Sequence, residues 1–269
     1  MNWKNIFDSL GMNGTQWQWR MMRWERNLKA IMKGQSPSSD FSLAHLLIGI
    51  NVFLFIAMII QGLIAGLGLN IILNPGTLLL RLAGGQYWPI VIHEGQWWRC
   101  ITYAYTHGGL IHLAFNMMVL YQIGPMIERE IGISRFFILY TLTALTATGL
   151  GYLWHPNVTV IGASGSLFGL IGFSITYFHR MGPSGKPLRD FMVKWALFAF
   201  VFGLIVGADN AGHLGGAIGG AAIGAILPLG VRGRQAAPRL FNVTAIACVL
   251  ATILSLLALF VTWFMFWTG

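Results

Sequence analysis

Three stretches without a single Asp, Glu, Lys or Arg limit what this chain can become: residues 41–80, 136–179 and 240–269. Each exceeds the roughly 20 residues that a helix needs to cross a bilayer. A water-soluble domain carries about a quarter of its residues as charges, whereas here 9% are charged and 56% hydrophobic. The bilayer is the expected solvent, and the expected fold class is an all-α, polytopic transmembrane helix bundle.

The apolar runs read as spans near 43–69, 101–125, 136–154, 164–179, 190–208, 211–229 and 241–267. On that division the connecting segments alternate in charge, with 15 Lys and Arg on one side of the membrane and 2 on the other. The positive-inside rule then places the N-terminus in the cytosol and the C-terminus outside. The same distribution accounts for the net charge of +9 without nucleic acid, since the basic residues sit in short segments between apolar runs rather than on one soluble face. Cys100 and Cys248 fall near opposite faces and are not expected to pair. Residues 1–42 form a cytosolic tail in which Trp17, Arg20, Met21, Arg23, Trp24 and Arg26 mix basic and bulky apolar groups, as a helix lying on an anionic leaflet does. Residues 34–40 read as a linker, and no cleavable signal peptide is expected.

Two connections are oddly apolar. Residues 70–100 include Tyr87, Trp88, Trp97 and Trp98, types that favour the bilayer interface, so this segment is expected half sunk in the outer leaflet. Residues 155–163 carry no Asp, Glu, Lys or Arg either. Irregular backbone persists at membrane depth only where protein or a wet cavity satisfies it, which points to a cavity beside this loop.

Ionisable and amide side chains inside spans are functional candidates by default. His107, His112 and Asn116 fall on the second span, Ser164 heads the fourth, and Asp209 with His213 heads the sixth, all in the outer half. Ser164 lies in Gly162-Ala163-Ser164-Gly165-Ser166, where small neighbours admit a substrate backbone and a helix start offers free N–H groups. By itself this pattern is a weak signal, and a close helix contact between small residues is the better reading of it. Gly216 and Gly220 follow His213 on one helix face, and Gly165 lies beside Ser164, so two glycine-bearing helices can approach closely enough to pair hydroxyl with imidazole. A lone intramembrane His also serves as a core hydrogen-bonder, a metal ligand or a proton relay. His112 and Asn116, four apart, share a face and can aim N–H donors at one point. Asp209, four residues before His213, reads as a helix cap rather than a triad acid.

The run His107-x4-His112-x3-Asn116, the Gly162-Ala163-Ser164-Gly165 loop and His213-x2-Gly216-x3-Gly220 resemble the rhomboid intramembrane serine proteases. Trp98-Arg99 in the first loop and Glu128 at the inner end of the second span resemble that family's positions too. The resemblance implies a six-helix core over residues 43–230 and an extra C-terminal helix within 231–269. It implies a dyad without an acid, with Ser164 as nucleophile and His213 as base. It further implies an oxyanion hole from His112, Asn116 and the Ser164 N–H, Phe168 stacked on the base, and structural roles for Trp98, Arg99 and Glu128. The expected partners are transmembrane protein substrates and membrane lipids, with no cofactor and no metal, and the expected location is the bacterial cytoplasmic membrane. The rival expectations are an inactive rhomboid-like binding protein and a transporter or channel.

Overall fold

The structure is a computed structural model and describes residues 8, 13–32, 42–206 and 208–268; the expected linker at 34–40 lies outside the described residues. The chain divides into two units, residues 1–42 and 43–269. In the first, α1 (Gly14–Met32) starts where the Gly14 N–H donates to the Asp8 carboxylate, 2.8 Å away. Its Lys29–Glu25 pair is exposed and contributes little.

Among the described residues the second unit is a bundle of seven long helices: α2 (Leu43–Ile64), α3 (Leu110–Ile131), α4 (Ile133–Trp154), α5 (Ser164–Arg180), α6 (Lys186–Val206), α7 (Asn210–Ile226) and α8 (Pro238–Thr268). By length and composition, α2, α3, α4 and α8 are each able to cross a membrane. The other three are shorter or carry more charge. Lys186, Arg189, Asp190 and Lys194 load the first half of α6, whereas α5 and α7 have 17 residues each, about 26 Å at 1.5 Å per residue.

The largest departure from expectation is at α3, which begins nine residues later than the span read from hydropathy. Residues Arg99–Thr102 and Tyr103–Tyr105 make a separate short helix and 3-10 turn. Gly109, at φ 121°, then breaks the path, and a Cβ there would strike the Leu73 carbonyl. His107 accordingly precedes α3 instead of riding on it. Glu128 lies inside the last turn of α3, where its two carboxylate oxygens accept from the Leu43 and Ala44 N–H groups at 2.9 and 3.1 Å. An anion at a helix N-terminus satisfies orphan donors and opposes the dipole, so this carboxylate ties the start of α2 to the end of α3. At the same end of the bundle Arg180 donates to the Gly224 and Leu227 carbonyls, both at 2.8 Å, closing α7.

α5 sits at the centre, packed by α3, α4, α6 and α7. Its contact with α7 is backbone on backbone. Apart from His213, the buried residues of α7 are Gly212, Gly215, Gly216, Gly220 and Gly224. A Cβ on Gly216 would overlap the Gly165 carbonyl, and one on Gly220 the Gly169 carbonyl; in return, one on Gly172 of α5 would overlap the Ala217 carbonyl. Without a hydrophobic drive between helices in lipid, such close van der Waals approach is what holds two spans together.

Gly220→Ala should therefore cost about 2 kcal/mol or more by overpacking. Gly149, exposed on α4 with open space around its Cβ position, should tolerate alanine. Thermal unfolding of the two variants in detergent checks this; equal midpoints would contradict the backbone contact.

Candidate active site

The loops that precede α3, α5 and α7 all lie at one end of the bundle and surround a cavity of about 660 Å³. Its wall includes His112, Asn116, Ser164, Phe168 and His213, together with residues 158–161 of the apolar connection.

Ser164 is the first residue of α5. The chain reaches it through Gly162, at φ 107°, whose N–H donates to the Tyr103 carbonyl at 2.9 Å. A side chain at 162 would run into the His112 ring, at 2.7 Å from Cε1 and 2.8 Å from Nε2. The serine loop is thus laid directly over that imidazole. Ser166, two residues on, is turned away: it is fully buried and its hydroxyl donates to the Tyr140 carbonyl at 2.8 Å.

His213 lies in the first turn of α7, stacked on Phe168 with ring centroids 4.2 Å apart and planes 14° from parallel. Its Nδ1 is buried and has no hydrogen-bond partner among the described residues. Asp209 instead caps the helix, accepting from the Gly212 N–H at 2.8 Å, and meets His155 Nε2 at 2.7 Å. Since a carboxylate only accepts, His155 Nε2 bears the proton in that contact. The sequence offers one signal for His155, a polar ring at the start of an otherwise uncharged connection.

On α3 the Gly108 N–H points at His112 Nδ1, 3.3 Å away. A backbone N–H can only donate, so the neutral imidazole carries its proton on Nε2, the ring nitrogen that faces Gly162. Asn116 is buried, and its Nδ2 donates to the His112 carbonyl at 2.9 Å. His107 is fully buried behind His112, with ring centroids 5.3 Å apart. Among the described residues, no group of three or more His, Cys, Asp or Glu is placed to hold a metal ion.

The first loop is fastened to this site. Gln86 and Val160 exchange both backbone hydrogen bonds, at 2.9 and 2.8 Å, joining the loop to the segment ahead of Ser164. Arg81 Nε adds a bond to Thr159 Oγ1 at 2.8 Å. Behind the joint, Arg99 donates to the Arg81 and Gly85 carbonyls and to Gln96 Oε1, while its guanidinium lies 4.4 Å from the Trp98 ring centroid. Burial pulls the Arg99 guanidinium down to about 10, still charged at neutral pH.

A family model for the rhomboid domain matches residues 94–230. RHOMBOID-like protein 4 of Arabidopsis thaliana is 32% identical over 163 residues, covering 59% of this chain and 41% of that protein. Rhomboid protease GluP of Bacillus subtilis is 33% identical over 134 residues, covering 48% and 26% respectively. RHOMBOID-like protein 2 of Arabidopsis thaliana is 30% identical over 162 residues, covering 59% and 51%. The chain thus spans between about a quarter and a half of the length of these curated relatives.

Arg99→Lys keeps the charge but not the forked donor set. It should cost about 2 kcal/mol, as expected for losing a charged hydrogen bond to a buried carbonyl. A thermal midpoint in detergent equal to that of the unaltered protein would count against the fastening described here.

Proposed function

Because the chain belongs to the rhomboid family, we propose that it is an intramembrane serine endopeptidase that cuts a peptide bond in or beside the transmembrane segment of another membrane protein. The observation that carries this reading is that Ser164 and a Phe168-stacked His213 line one cavity with His112 and Asn116, on two helices whose backbones touch.

In this reading the Ser164 hydroxyl attacks the scissile carbonyl while His213 takes its proton. The negative charge that develops on the carbonyl oxygen is met by the Ser164 backbone N–H, His112 Nε2–H and an Asn116 N–H. His112 suits that task because Gly108 fixes its tautomer, leaving a donor rather than an acceptor towards the serine loop. The tetrahedral intermediate then collapses, the C–N bond breaks, and His213 returns the proton to the leaving amine. Water hydrolyses the resulting acyl-enzyme with His213 again as base. No carboxylate takes part: Asp209 is engaged by Gly212 and His155.

The seven long helices would cross the bilayer with the N-terminus in the cytosol, a reading supported by 15 Lys and Arg on one side against 2 on the other. The cavity then opens towards the outer face, where water can reach it. A substrate helix has to unwind before its carbonyl is open to attack, since an intact helix engages its carbonyls internally.

Purified protein in detergent, incubated with a fluorogenic transmembrane peptide, tests the assignment. Ser164→Ala and His213→Ala should abolish cleavage, and Asn116→Ala should lower kcat by about 100-fold, the usual effect of removing one oxyanion donor. Cleavage that survives Ser164→Ala refutes the nucleophile, and a fluorophosphonate probe found on Ser166 would refute it independently.

A further inference from the structure

We propose that Trp263, on the C-terminal helix α8, is a positioning residue for Ser164, acting through the turn at residues 82–86; the proposal rests on the serine hydrolase reading above.

The turn is a problem in bonding before it is a problem in catalysis. The short helix Thr77–Leu82 ends there, and the carbonyls at a helix end have no intrahelical amide to accept from. Residues 83–86 are buried in the protein, away from water, so each carbonyl needs a donor from the chain itself. Four in a row find one: Ala83 from Thr106 Oγ1, Gly84 from Thr102 Oγ1, Gly85 from Arg99, and Leu82 from the indole N–H of Trp263. Three of these donors come from residues 99–106, close in sequence. The fourth crosses 181 positions from α8.

A second contact from the same helix face points to the same place. Leu259, one helical turn before Trp263, is almost fully buried, and its Cδ2 lies 3.3 Å from where a Cβ on Gly84 would stand. α8 therefore grips the turn twice, once by a hydrogen bond and once by packing.

What the turn holds is the serine loop. Gln86, the next residue, is the one that exchanges both backbone hydrogen bonds with Val160, and Gly85 packs on Ile161. Three residues beyond lies Ser164, with Gly162 in between laid over His112. A shift of the turn is passed along this short rigid path to the nucleophile and to its N–H, whose aim at the developing oxyanion tolerates little error. The extra helix thus has a task in the reaction although none of its described residues lines the cavity.

Trp263→Phe keeps an aromatic ring and removes the N–H. Hydrogen exchange read by mass spectrometry on the full chain in detergent should show about fivefold faster exchange at the amides of Gln86, Val160 and Gly162, the effect of losing roughly one hydrogen bond's stabilisation. Exchange elsewhere should stay as in the unaltered protein. With the transmembrane peptide, kcat should fall about threefold to tenfold at unchanged KM. Val261→Ala, on an exposed position of the same helix, should match the unaltered protein in both readouts.

Unchanged exchange at Gln86 and Val160 overturns the proposal. So does faster exchange spread evenly over the whole bundle, which would mark Trp263 as general packing only. Should Trp263→Phe fail to fold, Leu259→Val is read in the same way. Exchange needs no turnover, so an unaltered protein that leaves the peptide uncut sinks the proposed reaction without deciding the anchor.

Discussion

The contact on which the rest depends is the one between α5 and α7, where carbonyl oxygens of one helix occupy the places that side chains of the other would fill. Gly216 faces Gly165 and Gly220 faces Gly169, so the two axes cannot separate without losing the dense packing that lipid does nothing to replace. The first residue of α5 is Ser164 and the first turn of α7 holds His213. The relative position of those two side chains is therefore inherited from a rigid backbone joint rather than from a flexible loop. α4 reinforces the joint from outside the pair: a Cβ on Gly169 would overlap Thr143, and one on Gly215 would lie 2.7 Å from the Thr146 carbonyl.

Around that joint the chain solves a second constraint, the need to bond every polar backbone group away from water. The loops at the cavity end do this with a few side chains that each satisfy more than one demand. Arg99 closes two carbonyls of the first loop, Tyr103 holds Gly162 by its carbonyl and Ala144 by its hydroxyl, and Asp209 serves both Gly212 and His155. At the opposite end Glu128, Arg180 and Arg135 do the same work on helix termini, Arg135 donating to the Gly233, Arg234 and Ala236 carbonyls. Several of the basic residues that set the charge asymmetry thus also bond main-chain oxygens. Because charged donors make the stronger hydrogen bonds, a few arginines suffice where many neutral side chains would otherwise be needed.

This division explains what could be read from the residues beforehand. The charge-free runs gave helices because length and hydropathy are local properties, and the glycine spacing after His213 marked a face because periodicity is local too. Hydropathy starts α3 too early because no charge separates Ile101 to Tyr105 from the helix that follows; the break at Gly109 comes from the nearby Leu73 carbonyl, 36 positions away in the chain. The pairing of Gln86 with Val160 left no trace in either segment, since one isolated bridge has no pattern of its own. Glu128 stands out through family resemblance, yet its partners, the N–H groups of Leu43 and Ala44, lie 85 and 84 residues earlier. Nothing local distinguishes a ring that meets Asp209, as His155 does, from one that fills a loop.

The orientation of His213 shows how these constraints combine. In water-exposed serine hydrolases a carboxylate aligns the base, but a carboxylate drawn into an apolar wall would have to be stripped of water, at a cost that a neutral imidazole recovers only in part. Here Asp209 stays at the N-terminus of α7, where it caps the helix that carries His213. The ring itself is held by Phe168 at 4.2 Å, a contact between two flat neutral groups that restricts rotation without burying charge. Phe168 is four residues after Ser164 on α5, one helical turn along, so the helix that presents the hydroxyl also presents the surface against which the imidazole lies. The glycines bring the helices together, and the aromatic face then sets the plane of the imidazole. In the proposed reaction both partners are positioned by α5, and an acidic third member would add a desolvation cost to an alignment already made.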